Sequence, residues 1–398
     1  MSKPLSPEFK LLCSLLPVHF RGGLPWPSDW RGLAPAAFFA YAAKTQVAPL
    51  ALHHWETRCP ALWDATPFEV RARIIAWQEL FHHKQMARLA SWRELLSAFA
   101  AANLPVIPLK GFVLSQYLYA DPFLRQSCDF DLLVQRSDVE RAFGLLHDLG
   151  FKPGRWLGLN AAGETSWGRD GSGETEAVNL DLHWALQPRW YFYSLPAAAA
   201  WERQVTFETA GVRHAALDPA DTVLFALFNN IGDYGLSNLR GCSEIVESLA
   251  RLSGADVDAF QQRLDSLGAG RLLTALEIFR VRFFPGSDAA AVGRFRSPAR
   301  IAGSELFGQE SLYAPGPRPS WPVRLGLRLT LAGPSMRLPR YIVGKLGEVW
   351  RTRRHHEVPP ATSLPNSSPG AVEPSTLNPQ PSTPAGTHHP DSRVREAS

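Results

Sequence analysis

The sequence predicts an α+β protein, in which a short region of strands and helices lies between two helical regions. Apolar side chains at helical spacing dominate residues 1–103, and the same spacing returns in residues 218–300. Between these regions, residues 104–217 consist of short apolar runs separated by turns. We therefore expect a small mixed sheet with its own helices, flanked by N- and C-terminal helical regions.

The composition narrows the class of protein. The chain has 398 residues, of which 45% are apolar and 20% are charged, and these values are ordinary for a globular protein. Its net charge of +4 gives no argument by itself for nucleic-acid binding. Four scattered cysteines without a CxxC pair predict neither a zinc site nor a disulfide framework. We expect reduced thiols, a cytoplasmic protein, and no signal peptide or transmembrane segment.

The N-terminal region contains the longest helical pattern, "TPFEVRARIIAWQELFHHKQMARLASWRELLSAFAAANL". Its apolar side chains recur every three or four residues, as in Ile74, Trp77 and Phe81. At the start of this pattern, Thr66 precedes a proline and Glu69 follows three residues later, which predicts Thr66 as the N-cap residue.

In residues 104–217 each short segment predicts one element. "GFVLSQYLY" predicts a helix opened by Gly111, and "DFDLLV" predicts a strand. "SDVERAFGLLHDLGF" predicts an amphipathic helix with Ser137 as N-cap and Gly150 at its end. "AVNLDLHWAL" predicts a second strand, and "RQVTFETAGVRHAAL" predicts a hairpin that closes the region.

The C-terminal part changes in composition twice. Residues 301–354 are rich in Pro and Arg, and residues 355–398 are rich in Pro, Ser and Thr, which predicts a disordered tail. Within the first part, segment 337–354 mixes basic with apolar and aromatic side chains. It is either a weak contact site for an anionic surface, lipid or RNA, or a solvated helix end.

Two acidic residues in the first strand indicate a metal site. Side chains alternate between the faces of a strand, so Asp129 and Asp131 share one face while Phe130 and Leu132 share the other. Two carboxylates so close together in a half-buried strand need a compensating cation. Carboxylate oxygens are ligands that Mg²⁺ and Mn²⁺ prefer, so we expect one of these ions.

The second strand repeats the pattern with Asn179, Asp181 and His183 on one face. If the two strands are neighbours, Asp181 joins the acidic pair, and three carboxylates can hold metals for an in-line phosphoryl displacement. The alternative for Asp181 is a structural salt bridge. His183 is either a base or ligand, or a histidine with a structural role only.

The order "LKG…LY…R…DFDLLV" followed by "LDLHW" resembles the uncharacterised nucleotidyltransferase family of the DNA polymerase β-like superfamily. The resemblance extends over roughly residues 40–285, with the specific motifs in 109–184. The motifs are also similar to those of toxin-type nucleotidyltransferases. The resemblance implies a polymerase-β-like core that transfers a nucleoside monophosphate from an NTP to an acceptor and releases pyrophosphate. The rival hypothesis is a catalytically inactive binding or scaffold protein with the same fold.

By this resemblance the three carboxylates have distinct roles. Asp129 and Asp131 are implied to be metal ligands, with Asp181 as the third metal-site carboxylate and the group that activates the acceptor hydroxyl. The acceptor itself stays open between a small molecule, a polysaccharide precursor, a protein hydroxyl and a tRNA end.

The resemblance also implies a nucleotide-binding set. Lys110 and the helix N-terminus after Gly111 are expected to face the triphosphate, and Arg125 and Ser127 to support the phosphates or the first strand. The sequence departs from the superfamily in having Lys-Gly where Gly-Ser is usual. It also has Asn229 or Asn230, and then Glu244, where relatives carry a His followed by an Asp. This second departure affects the residues expected to recognise the base or the acceptor.

Overall fold

A computed structural model describes residues 6–16, 33–154, 163–171, 177–188 and 191–284, with a few residues beyond at 295, 307, 312–313, 326–328 and 330–331. The α+β class predicted from the sequence is confirmed, because helices flank a small mixed sheet on both sides. Segment 337–354 and the tail 355–398 lie outside the described residues. The predicted domain boundaries stay predictions.

The central sheet has five strands. In chain order they are β1 (Val106–Pro108), β2 (Asp129–Val134), β3 (Lys152–Pro153), β4 (Glu164–Arg169) and β5 (Val178–His183). Their order across the sheet is β1-β2-β5-β4-β3, with β2 and β5 parallel and the other neighbours antiparallel. Two further strands, β6 (Val205–Thr209) and β7 (Val212–Ala216), form the predicted hairpin.

Helices surround this sheet. Before β1 lie α1 (Pro7–Leu15), α2 (Pro35–Lys44), α3 (Ala48–Arg58), α4 (Pro60–Asp64) and α5 (Phe68–Ala101). Among the strands lie α6 (Phe112–Tyr119), α7 (Val139–Asp148) and α8 (Ala197–Glu202). After the hairpin come α9 (Pro219–Tyr234), α10 (Leu239–Arg251), α11 (Ala255–Ser266) and α12 (Arg271–Phe283). None of the helices in the described ranges is long and apolar enough to cross a membrane.

The predicted N-cap of α5 is wrong. Pro67 occupies the cap position, and Thr66 Oγ1 instead donates a hydrogen bond to the carbonyl oxygen of Leu62 at 2.9 Å. The hydroxyl is therefore already used by the preceding helical turn, so it does not cap the helix that follows.

The predicted N-cap of α7 is also wrong, whereas the predicted end of this helix is confirmed. Ser137 lies inside a short 3-10 turn, Arg136–Asp138, so that Asp138 becomes the cap residue of the α-helix. Gly150 follows the last turn with a φ of 79°, a left-handed conformation that glycine adopts without strain.

The two faces of the sheet meet different surroundings. Phe130, Leu132 and Leu180 lie on one face and pack in a buried cluster with Trp92 and Phe99 of α5. The aspartates of β2 alternate with these residues and therefore occupy the opposite face. That face is turned toward α9 and α10, and a cleft separates it from them.

Candidate active site

Strand pairing brings the three acidic residues together. In the parallel register of β2 and β5, Asp131 lies directly opposite Asp181, and Asp129 lies two residues earlier on the same face. One carboxylate oxygen from each residue lies within 4.8 Å of the others. The exposure is graded, because Asp129 is exposed, Asp181 is half-buried and Asp131 is buried. The structure thus gathers in one cluster the three carboxylates that the sequence singled out.

The carboxylates line a cleft of about 340 Å³ between the sheet and the C-terminal helices. This volume lies at the lower end of the range typical of small-molecule sites, roughly 300–1,000 Å³. From the opposite side, α9 contributes Asn229 and Asn230, and α10 contributes Glu244. Asn229, Asn230 and Glu244 therefore all lie along the same cleft as the carboxylates.

The Lys110-Gly111 turn lies at the edge of this cluster. Gly111 has a φ of 64°, and a Cβ at this position would lie only 3.2 Å from Ser127 Oγ. Gly111, the N-cap residue of α6, therefore combines a positive φ with little space for a side chain. Both features favour glycine at this position. Lys110 Nζ donates a hydrogen bond to Asp131 Oδ1 at 2.8 Å, so the turn brings a positive charge to the carboxylates.

His183 makes a second contact with the buried aspartate. Its Nε2 atom lies 3.3 Å from Asp131 Oδ1, and its Nδ1 atom lies 3.2 Å from Glu164 Oε2 on β4. Burial lowers the pKa of His183, but the two carboxylates outweigh this effect and raise it to about 10. The imidazole is therefore a cation at neutral pH.

These two cations determine the charge of Asp131. Burial raises the pKa of its carboxyl group, but Lys110 and His183 outweigh burial and hold the pKa well below the ordinary value. Asp131 is therefore ionised at neutral pH in spite of being buried.

Asp181 has a different environment. Burial raises the pKa of its carboxyl group to about 6, and the charge of Asp131 contributes to this rise, while a hydrogen bond from Ser166 opposes it. Ser166 Oγ donates that bond to Asp181 Oδ1 at 2.5 Å. Asp181 is therefore a stronger proton acceptor than an ordinary aspartate.

Arg125 and Ser127 lie in the segment that leads into β2. Arg125 is buried and its Nε donates a hydrogen bond to Glu244 Oε1 at 2.9 Å, which ties the segment to α10. Ser127 Oγ donates to the carbonyl oxygen of Asp129 at 3.1 Å. Both residues line the cleft, and their contacts fix the start of the strand that carries the acidic pair.

The polar residues that the sequence did not indicate include Glu164, which contacts His183, and Ser166, which contacts Asp181. Both lie on β4, which was not predicted as a strand because its sequence, "ETSWGR", is polar and contains a glycine. A weak sequence signal exists, since Thr165 and Trp167, a β-branched and an aromatic residue, alternate with these polar residues.

The donor set fits a small divalent cation. All three groups of the cluster are carboxylates, which suit Mg²⁺ or Mn²⁺ better than softer metals. Asp129 is exposed, so this edge of the cluster is accessible from solvent.

Comparison with protein families agrees with this site. The sequence profile of the uncharacterised nucleotidyltransferases matches residues 32–285, and the chain therefore belongs to this family. The matched range includes the sheet, the cleft and all of the C-terminal helices α9 to α12. No curated protein matches the sequence.

Proposed function

We propose that the protein is a metal-dependent nucleotidyltransferase, which transfers a nucleoside monophosphate from an NTP to an acceptor hydroxyl and releases pyrophosphate. The observation that carries the proposal is the convergence of Asp129, Asp131 and Asp181 in one cleft. Membership of the nucleotidyltransferase family supports it. We place the reaction in the cytoplasm, where NTPs are available and where the exposed thiol of Cys128 in the cleft stays reduced.

In this proposal the three carboxylates hold Mg²⁺ or Mn²⁺. A cation held by these residues would supply positive charge to offset the charge on the transferred phosphoryl group and on the leaving pyrophosphate. Asp131 contributes a carboxylate that is already ionised, because Lys110 and His183 offset its burial. Asp129 lines the cleft and is the exposed member of the cluster, so a nucleotide reaches this carboxylate from solvent.

The Lys110-Gly111 turn binds the triphosphate. The backbone N–H groups of the first turn of α6, which begins at Phe112, favour an anion at this end of the helix. Lys110 adds a point charge on a flexible stem and reaches phosphate oxygens by turning away from Asp131. Arg125 and Ser127 act indirectly, by holding the turn and the start of β2 in place.

Asp181 activates the acceptor. The acceptor hydroxyl gives its proton to the carboxylate of Asp181, and its oxygen attacks the α-phosphorus of the NTP. A new oxygen–phosphorus bond forms, the bond from the α-phosphorus to the bridging oxygen breaks, and pyrophosphate leaves. Without a bound cation, burial raises the pKa of Asp181 to about 6, which makes its carboxylate a stronger base than an ordinary aspartate.

The proposal is tested by label transfer. Each of the four NTPs, labelled on the α-phosphate, is incubated with the protein, Mg²⁺ or Mn²⁺, and separate small-molecule, protein and tRNA fractions of a cell extract. We expect the wild-type protein to label one fraction, and Asp181→Ala to label none. Asp148→Ala, which changes an exposed aspartate at the end of α7, is the matched control and keeps full activity.

If no NTP labels any fraction, the protein is instead a non-catalytic binding or scaffold protein. Equal labelling by wild type and Asp181→Ala would contradict the assigned role of Asp181 while leaving nucleotidyl transfer in place.

A further inference from the structure

A chain of contacts crosses three adjacent strands beside the carboxylate cluster. In the sheet register, His183 of β5 lies opposite Leu133 of β2 on one side and opposite Glu164 of β4 on the other. Asp131 is two residues before Leu133, at the diagonal position that a histidine side chain can reach. The result is a row in which the imidazole bridges Glu164 Oε2 and Asp131 Oδ1.

Both cations that contact Asp131 use the same oxygen. Lys110 Nζ lies 2.8 Å from Oδ1, and His183 Nε2 lies 3.3 Å from Oδ1. Within the part of the chain that the structure describes, no hydrogen bond reaches the other oxygen, Oδ2. The carboxylate is therefore held at one oxygen and leaves the second for a cation.

The contacts of Lys110 and His183 with Asp131 differ in how easily the side chain can move away. The Lys110 side chain is 29% exposed and has a flexible four-carbon stem, whereas the His183 side chain is 5% exposed. In the proposed function a bound triphosphate draws Lys110 toward the phosphates, whereas the imidazole is buried between Asp131 and Glu164. When a nucleotide is bound, His183 is the partner that stays on Oδ1.

We infer that His183, itself oriented by Glu164, is a positioning residue that fixes the carboxylate of Asp131 for cation binding. The inference rests on the proposed function, because the orientation of Asp131 matters only if this residue holds a cation. Carboxylates that bind metals generally depend on hydrogen-bond partners of this kind for orientation.

Glu164 acts through His183. The Glu164 carboxylate lies against the Nδ1 edge of the ring, with Oε2 3.2 Å from Nδ1. This contact favours the ring orientation in which Nε2 faces Asp131 Oδ1 at 3.3 Å. The Glu164 side chain is 40% exposed and stands at the outer end of the row.

The test is Mn²⁺ affinity, measured by calorimetric titration of the whole protein without nucleotide. We expect His183→Phe, which keeps a ring but removes both donors, to weaken Mn²⁺ binding roughly 10- to 100-fold. His183→Gln, which keeps one donor, should retain part of the affinity. The matched control is His214→Phe on β7, where the histidine contacts Thr209 Oγ1 and Trp92, and its Mn²⁺ affinity should equal that of the wild type.

A purely structural role is distinguished by two readouts. The first is the midpoint of thermal unfolding without metal. If His183 had only a structural role, its variants would lose thermal stability and Mn²⁺ affinity in parallel. The second is a double-mutant cycle, in which Glu164→Gln weakens Mn²⁺ binding in the wild type but has no further effect in His183→Phe. If Glu164→Gln also weakens binding in His183→Phe, Glu164 contacts the cation directly and the indirect role is wrong.

The Mn²⁺ affinities of the wild type and the variants distinguish failure of this inference from failure of the proposed function. If the wild type binds Mn²⁺ and His183→Phe and His183→Gln bind it equally well, the positioning role is overturned and the metal site stands. If the wild type binds no Mn²⁺, both are overturned.

Discussion

Among single residues, the site shifts the pKa values of two neighbouring carboxyl groups in opposite directions. Burial acts on both Asp131 and Asp181 and raises their pKa values. Lys110 and His183 reverse this effect at Asp131, whereas the hydroxyl of Ser166 only moderates it at Asp181. An ionised carboxylate suits cation binding, and one with a raised pKa suits proton transfer. In the proposed mechanism this difference assigns cation binding to Asp131 and proton transfer to Asp181.

Substitutions of Asp181 and Lys110 should separate the loss of catalysis from the loss of NTP binding. Asp181→Ala should abolish pyrophosphate release while changing the affinity for Mn²⁺–NTP only slightly, because the acidic pair on β2 and the phosphate contacts remain. Lys110→Ala should weaken NTP binding by roughly 10- to 100-fold, the effect of losing one charged hydrogen bond. Lys152→Ala, which removes a lysine paired with Asp170 on the surface, is the control and should change neither quantity.

Calorimetric NTP affinity and a coupled pyrophosphate assay measure the two effects. Loss of NTP binding in Asp181→Ala, or undiminished binding in Lys110→Ala, would contradict this division of roles.

Among the elements, α9 forms one wall of the cleft and is packed unusually closely by the segment after β5. A Cβ atom on Gly232 would lie 1.7 Å from Cε2 of Tyr191, so the aromatic ring rests directly on the helix backbone. Tyr191 Oη also donates a hydrogen bond to Asp233 Oδ1 at 2.6 Å. The glycine is therefore required by this contact, although glycine is a poor helix former.

Alanine at this position should destabilise the protein. Gly232→Ala gains helix propensity, but the clash with Tyr191 should outweigh that gain and lower the free energy of unfolding by about 1–3 kcal/mol. Gly144→Ala is the matched control, since Gly144 lies on α7 with open space around its Cα. That variant should be unchanged or more stable by up to about 1 kcal/mol.

Urea denaturation at 25 °C measures both variants. If Gly232→Ala is as stable as Gly144→Ala, the close packing of Tyr191 against α9 is wrong.

In the whole molecule, the helical regions on both sides of the sheet brace the site. Arg88 of α5 donates to the carbonyl oxygen of Ser127 at 2.8 Å. Arg240 of α10 donates to the carbonyl oxygen of Gln126 at 2.8 Å, and Glu244 accepts from the buried Arg125. The segment before β2 is thus held from two directions. This bracing agrees with the family match, which includes α5 and α10 as well as the sheet.

The sequence could predict the part of the site that follows from local periodicity. Alternation along β2 and β5 placed Asp129, Asp131 and Asp181 on matching faces, and the parallel pairing of these strands then brought the groups together. Contacts between distant segments could not be predicted in this way. Arg125 and Glu244 are 119 residues apart, and no local pattern of polar and apolar residues indicates that they pair.

The two N-cap predictions are wrong for a related reason. Thr66 and Ser137 have the side chains that favour helix starts, but the preceding turn uses the Thr66 hydroxyl and a 3-10 turn contains Ser137. Local preference is a weak determinant wherever the neighbouring turn offers a competing hydrogen bond or backbone conformation.

The most direct test of a metal-dependent nucleotide site is equilibrium binding of NTP with and without Mn²⁺, for the wild type and for Asp129→Asn/Asp131→Asn. We expect the wild type to bind NTP in a Mn²⁺-dependent manner, and the double variant, still folded by circular dichroism, to lose both Mn²⁺ and NTP binding because its two amides replace the anionic ligands. Asp148→Asn should bind like the wild type. Absence of Mn²⁺-dependent NTP binding in the wild type, or equal binding by the double variant, would contradict the assignment of this cleft as the active site.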